Sequence, residues 1–155
     1  MKLIVSQELG HLARWLRILG LDAAYFSRDN SGSLIIQALR EERIILTRNH
    51  RLPRSAGIRL VQIESEKIKP QLVEVLRKLR LKLDPSRMFS RCVLCNEELA
   101  RADKETIKMR VPEYVFKTQD EFFCCPKCER VYWQGTHWGN VELALKEITA
   151  NSKSQ

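Results

Sequence analysis

Cys92 and Cys95 form one Cys-x-x-Cys pair, and Cys125 and Cys128 form another, with residues 96–124 between them. Nothing in the chain suits a metal better. A Cys-x-x-Cys turn lets two thiolates reach one ion while backbone N–H groups point at the sulfurs, and two such turns complete a tetrahedron around Zn²⁺. Four thiolates fill the coordination sphere, so the expected zinc is structural rather than catalytic. The intervening segment is long enough for the strands of a zinc ribbon. The start of the chain holds one lysine and a short apolar run that Ser6 ends, which is no secretion signal. The expected setting is cytoplasmic, where paired cysteines favour metal over disulfides. Cys124 is a spare, read as a packed thiol beside the second pair. His137, nine residues past Cys128, is read as a structural histidine rather than a rival ligand.

The elements that must carry other chemistry lie upstream. Residues 2–5, 22–26, 43–47 and 58–63 read as strands. Residues 8–19, 33–42 and 66–80 read as helices with apolar side chains at helical spacing, Leu9, Leu12, Ala13, Leu16 and Leu19 in the first. Gly20 stops that helix, Ser31 or Ser33 caps the next, and Pro70 sits near the start of the last. Strands joined by helical crossovers predict a mostly parallel sheet flanked by helices, an α/β fold. The expected organisation is an α/β domain over 1–82, a linker over 83–90, a four-cysteine zinc unit with a C-terminal helix over 91–149, and a disordered tail over 150–155. No apolar run reaches the roughly 20 residues of a membrane helix.

In such a sheet, ligands bind beyond the carboxyl ends of the strands. That edge gathers Ser6, Asp29, Asn49 and Glu64, with Glu8 at the start of the first helix. Metal-dependent phosphate chemistry wants several oxygen ligands there. The sequence offers few acids and many cations. Net charge is +7 over residues 1–84 and +1 over the rest. Such a basic surface favours a polyanion through counterion release. Arg14 and Arg17 share a helical face by their i,i+3 spacing, and Arg28 and Arg48 flank two strand ends. Arginine suits phosphate through its forked donors. His11 and His50 are read as surface histidines. Tyr132, Trp133, His137 and Trp138 are read as ribbon packing in preference to base stacking.

The stretches GHLARWLRILG (10–20), LTRN (46–49), LDPSRMFSRCVLC (83–95), VPEYV (111–115) and CPKCERVYWQGTHW (125–138) resemble one family. It is the Mut-seven C-terminal RNase domain family, a PIN-like nuclease domain followed by a four-cysteine zinc ribbon. The resemblance spans about residues 1–148. It implies metal-dependent hydrolysis of RNA with Mg²⁺ or Mn²⁺ held by acids at the sheet edge. The family's first strand ends in Asp where this chain has Ser6, and its third ends LTRD where this chain has Asn49. Asp29 matches a family acid, and Glu8 stands where it could substitute for the missing one. The catalytic candidates are therefore Asp29, Ser6, Asn49 and Glu8. With two acids gone, activity is expected to be weak or lost. A non-catalytic RNA-binding or ribonucleoprotein-associated protein is one alternative. A zinc-ribbon protein-interaction module is the other.

Overall fold

The computed structural model describes residues 1–54, 57–134 and 137–153, with the side chains of 137–140, 142 and 151–153 left aside. Strand β1 (Lys2–Val5) leads through a 3₁₀ turn at Gln7–Leu9 into helix α1 (Gly10–Ile18). Strand β2 (Asp22–Tyr25), helix α2 (Ser31–Arg40), strands β3 (Ile44–Thr47) and β4 (Leu60–Gln62), and helix α3 (Ile68–Lys78) follow. The four strands pair in parallel in the order β2-β1-β3-β4. Each element falls close to where the periodicity put it, most with trimmed ends, while α2 begins and ends earlier than the expected 33–42. The cap of α2 is Asn30, not Ser31 or Ser33: its side chain accepts the N–H of Ser33 at 3.0 Å. Asn at this position satisfies one of the four unpaired donors of a first turn as well as Ser does.

Both faces of the sheet are covered, so β1 and β3 are nearly continuous apolar runs. Leu3, Val5 and Leu46 pack under Leu12 and Leu16 of α1 and Leu72, Val75 and Leu76 of α3. Ile4 and Ile45 pack against Phe26, Leu34 and Ala38 on the α2 side. Fully burying one such leucine contributes about 2 kcal/mol. Because all four strands run one way, their carboxyl ends form a single edge.

The segment read as a linker is fitted to the first unit. Asp84 caps a 3₁₀ turn at Pro85–Arg87 by accepting the Ser86 N–H at 3.0 Å. The Phe89 N–H donates to Ile18 O at 2.8 Å. Gly20, at φ +83°, lies so close that a Cβ would fall 2.2 Å from Arg87 O. Only glycine meets both demands.

The second unit has an antiparallel sheet of β5 (Ala100–Ala102), β6 (Phe122–Cys124) and β7 (Val131–Trp133), in that order. A 3₁₀ helix (Lys104–Arg110) and helix α4 (Glu113–Thr118) are inserted between β5 and β6. Ile107, Val111, Val115 and Phe122 form its apolar core, with Trp133 packed on it. Trp133 thus packs as expected; the side chains of His137 and Trp138 lie outside the described residues. Helix α5 (His137–Lys153) runs past the expected helix of 139–149 into the stretch read as a disordered tail. Its Val141, Leu145 and Ile148 enter the core beneath α1 and α3. The chain therefore returns to the first unit after the cysteines.

One buried carboxylate anchors the start of α3. Glu74, 7 % exposed, accepts the N–H groups of Glu64 at 2.9 Å and Ser65 at 2.6 Å, and Lys78 Nζ at 3.2 Å. Burial raises its pKa, but these donors outweigh burial and hold it at about 2. A depressed pKa stabilises the fold fully above the ordinary value of about 4.5 and is lost as pH falls towards 2. Glu74→Gln is therefore expected to lose about 3 kcal/mol near neutral pH. Denaturant unfolding should show the gap shrinking to less than half by about pH 3.

Candidate active site and metal centre

The carboxyl edge is built around Glu8. Its Oε1 accepts Ser6 Oγ at 2.6 Å, Thr47 Oγ1 at 3.0 Å and the Arg48 N–H at 2.9 Å. One oxygen thus ties the end of β1 to the end of β3. Oε2 takes no part in these bonds. Burial raises the Glu8 pKa, and the donors from Ser6, Arg48 and Thr47 more than reverse it, so the group is held below the usual carboxylate range. Thr47, fully buried, relays the contact: it donates to Glu8 and accepts the Asn49 N–H at 3.0 Å.

All four catalytic candidates, Ser6, Glu8, Asp29 and Asn49, line one small cleft of about 40 Å³, together with Arg28 and Asn30. A water or a bare ion needs no more room than that. Asp29 is exposed at its rim. Asn49 is exposed too, and its Oδ1 accepts the Arg51 N–H at 3.0 Å, closing a local turn. Ser6 is 6 % exposed, with its hydroxyl committed to Glu8. Glu64 is outside this set and faces His50 at 3.3 Å. Mg²⁺ or Mn²⁺ commonly rests on one or two carboxylates plus substrate phosphates. Glu8 and Asp29 meet that minimum. No third acid joins them in a metal-sized cluster among the described residues.

The arginines divide. Arg28 lies over the Phe26 ring at 5.1 Å from its centroid and faces the cleft. Arg48 points one guanidinium nitrogen to Glu66 at 3.7 Å. Arg14 is exposed on α1. Arg17, expected to share an RNA-facing surface with Arg14, turns inward instead. It is 7 % exposed, donating to Ala23 O at 2.8 Å and to Val93 O and Leu94 O at 2.7 and 3.2 Å. Spacing along a helix cannot reveal this, because two of the three carbonyls it serves, Val93 O and Leu94 O, belong to the first cysteine turn far along the chain. Asn96 completes the junction: its Oδ1 accepts the Ala23 N–H at 3.0 Å and its Nδ2 donates to Asp22 at 2.7 Å.

The four sulfurs of Cys92, Cys95, Cys125 and Cys128 all lie within 4.8 Å of one another. Cys92 and Cys128 Sγ are 3.7 Å apart, close to the roughly 3.8 Å edge of a tetrahedron with 2.3 Å zinc–sulfur bonds. The two turns repeat one geometry. In each, the second cysteine's N–H points at the first sulfur, at 3.4 and 3.5 Å. In each, the next residue takes positive φ, Asn96 at 66° and Glu129 at 64°. Tyr132 Oη sits 3.1 Å from Cys92 Sγ. Burial pushes the Cys92 thiol up, yet Tyr132 and the backbone N–H groups of Cys95 and Leu94 bring it down to about 7. This donor set fits tetrahedral zinc. Cys124 stands outside it, with Glu129 O 3.4 Å from its sulfur.

Residues 1–145 match the family model of the Mut7-C RNAse domain. The chain belongs to that family. Searches of curated proteins and of solved structures give no match. The Mut7-C match spans both units, from β1 into α5, so the sheet edge and the four-cysteine centre are parts of one family architecture. No helix of the described residues is long and apolar enough to cross a membrane. Sequence reasoning missed two contributors to this Mut7-C cleft, Thr47 and Asn30. Both are polar residues at the end of an apolar strand or the start of a helix, which is the signal that would have found them.

Proposed function

We propose that this Mut7-C protein binds RNA along the carboxyl edge of its sheet and hydrolyses it weakly with Mg²⁺ or Mn²⁺. Glu8 and Asp29 would hold the cation, and structural zinc would hold the ribbon. The carrying observation is the Glu8 carboxylate, fixed by three donors at the junction of β1 and β3 with one oxygen left for a ligand. The cation would supply charge neutralisation at the phosphate and an activated water. The chain's own part is to hold Glu8 ionised, to place Asp29 across the cleft, and to bring the phosphate in with Arg28. The PIN-like expectation is consistent with the parallel sheet and its acid-bearing edge.

A second reading, binding without cleavage, draws support from Ser6 and Asn49. Neither adds charge, and the oxygens of both are engaged. One experiment separates the two. Cleavage and affinity for single-stranded RNA are measured with Mg²⁺ and Mn²⁺ on wild type and on a Ser6→Asp, Asn49→Asp double variant. Wild type should bind with steep salt dependence and cut slowly. The double variant should cut at least about tenfold faster, and Mn²⁺ should raise its melting temperature more than that of wild type, because the cation relieves the new repulsion beside Glu8. Binding by wild type with cleavage only by the double variant establishes the second reading. Absence of RNA binding overturns both.

A further inference from the structure

A larger hollow lies beside the Glu8 cleft, where α1 and β2 meet the first cysteine turn. Its volume is about 390 Å³, within the range of small-molecule sites. His11 and Arg14 come to it from α1, Tyr25 from β2, and Val93 and Leu94 from the cysteine turn. Two of the larger apolar groups are open to solvent: Tyr25 is 40 % and Leu94 46 % exposed. No carboxylate is among the described residues lining it.

The wall is rigid. Buried Arg17 ties Val93 O and Leu94 O to the edge of β2. Tyr25 Oη donates to Gln7 O at 2.7 Å, and the ring lies against Gly10, where a Cβ would come within 3.2 Å of it. Gln7 also lines the Glu8 cleft, so the Tyr25 phenol stands at the boundary of the two hollows. An exposed aromatic ring and an apolar side chain next to the Arg14 guanidinium, with no carboxylate among the described lining residues, make a base-stacking platform beside a phosphate track, the pattern of single-strand binding sites.

We propose that this hollow is a nucleotide subsite. It takes the unpaired base neighbouring the phosphate in the Glu8 cleft, between Tyr25 and Leu94, while Arg14 meets the next phosphate. The RNA strand then crosses from the sheet edge onto the first cysteine turn. This rests on the RNA reading above and adds a site to it.

The test uses the full zinc-loaded chain and short single-stranded RNA carrying one 4-thiouridine. Irradiation followed by peptide mapping should place cross-links on the peptides holding Tyr25 and Leu94. Arg14→Glu and Leu94→Asp, both at exposed positions, should each weaken binding of a hexanucleotide at least about fivefold more than Arg40→Glu, a charge-matched change on α2. For a dinucleotide the three variants should not differ. If wild type binds RNA but the variants match Arg40→Glu, or the cross-links fall elsewhere, the subsite is overturned and the RNA reading stands. If wild type binds no RNA, both fall.

Discussion

Cys125→Ser, or removal of zinc with a strong chelator, should unfold the ribbon and weaken the first unit with it. The ribbon's apolar core is small, centred on Ile107, Val111, Val115 and Phe122. A unit of that size depends on its metal, whose binding supplies on the order of 10 kcal/mol. Cys92 and Cys125 are fully buried, so serine there loses a ligand and leaves a hydroxyl without water. The damage spreads through Arg17. Its guanidinium is buried against Val93 O and Leu94 O, and without the cysteine turn two of its three acceptors vanish. Losing the partners of a buried charge costs about 3 kcal/mol or more. Elemental analysis should give one zinc per chain for wild type and for Cys124→Ser, and a deficit for Cys125→Ser. Hydrogen exchange should show β5–β7 unprotected in Cys125→Ser and β2 more labile than in wild type. An unchanged ribbon after metal removal would refute the structural role.

Glu8→Gln is the change expected to cost most activity for least structure. The amide oxygen can accept the same bonds from Ser6, Thr47 and Arg48, so β1 and β3 stay tied. What disappears is the charge and the second acceptor oxygen. If Glu8 is a cation ligand, cleavage should fall about a hundredfold or more. The melting temperature should fall, though by less than in Glu74→Gln, because the Glu8 pKa is also held down but less far. RNA affinity without divalent ions should rise slightly, since a negative charge leaves a phosphate-facing cleft. Glu8→Ala should lose both activity and stability. Cleavage that survives Glu8→Gln would assign the chemistry to another residue.

Much of this was readable in the sequence, for identifiable reasons. β1 and β3 are apolar runs because helices cover both faces of the sheet, and such runs bounded by turns announce themselves. The four cysteines could be named because metal geometry restricts their spacing. Ser6, Asp29 and Asn49 could be grouped because parallel strands bring their ends to one edge, but the same rule put Glu64 there, and it faces His50 outside the cleft. What stayed hidden depends on packing between distant segments. Arg17 looked like a surface cation because its partners lie across the chain at Val93 and Leu94. Asn96 gave no signal in the sequence, because its role comes from where the cysteine turn docks. A C-terminal helix is expected, though not one whose Val141, Leu145 and Ile148 join the core of the first unit.

The docking of that turn has a consequence for how the chain behaves among its own copies. β2 is a terminal strand of the parallel sheet, with β1 on one side only. A terminal strand offers its outer backbone groups to any neighbour that can extend the ladder. Here Ala23 gives its N–H to Asn96 and its C=O to Arg17. The first cysteine turn therefore blocks that outer rim at Ala23 the way a lid closes an open seam, and chains in which that turn comes undone should associate through β2 at rates that climb with protein concentration.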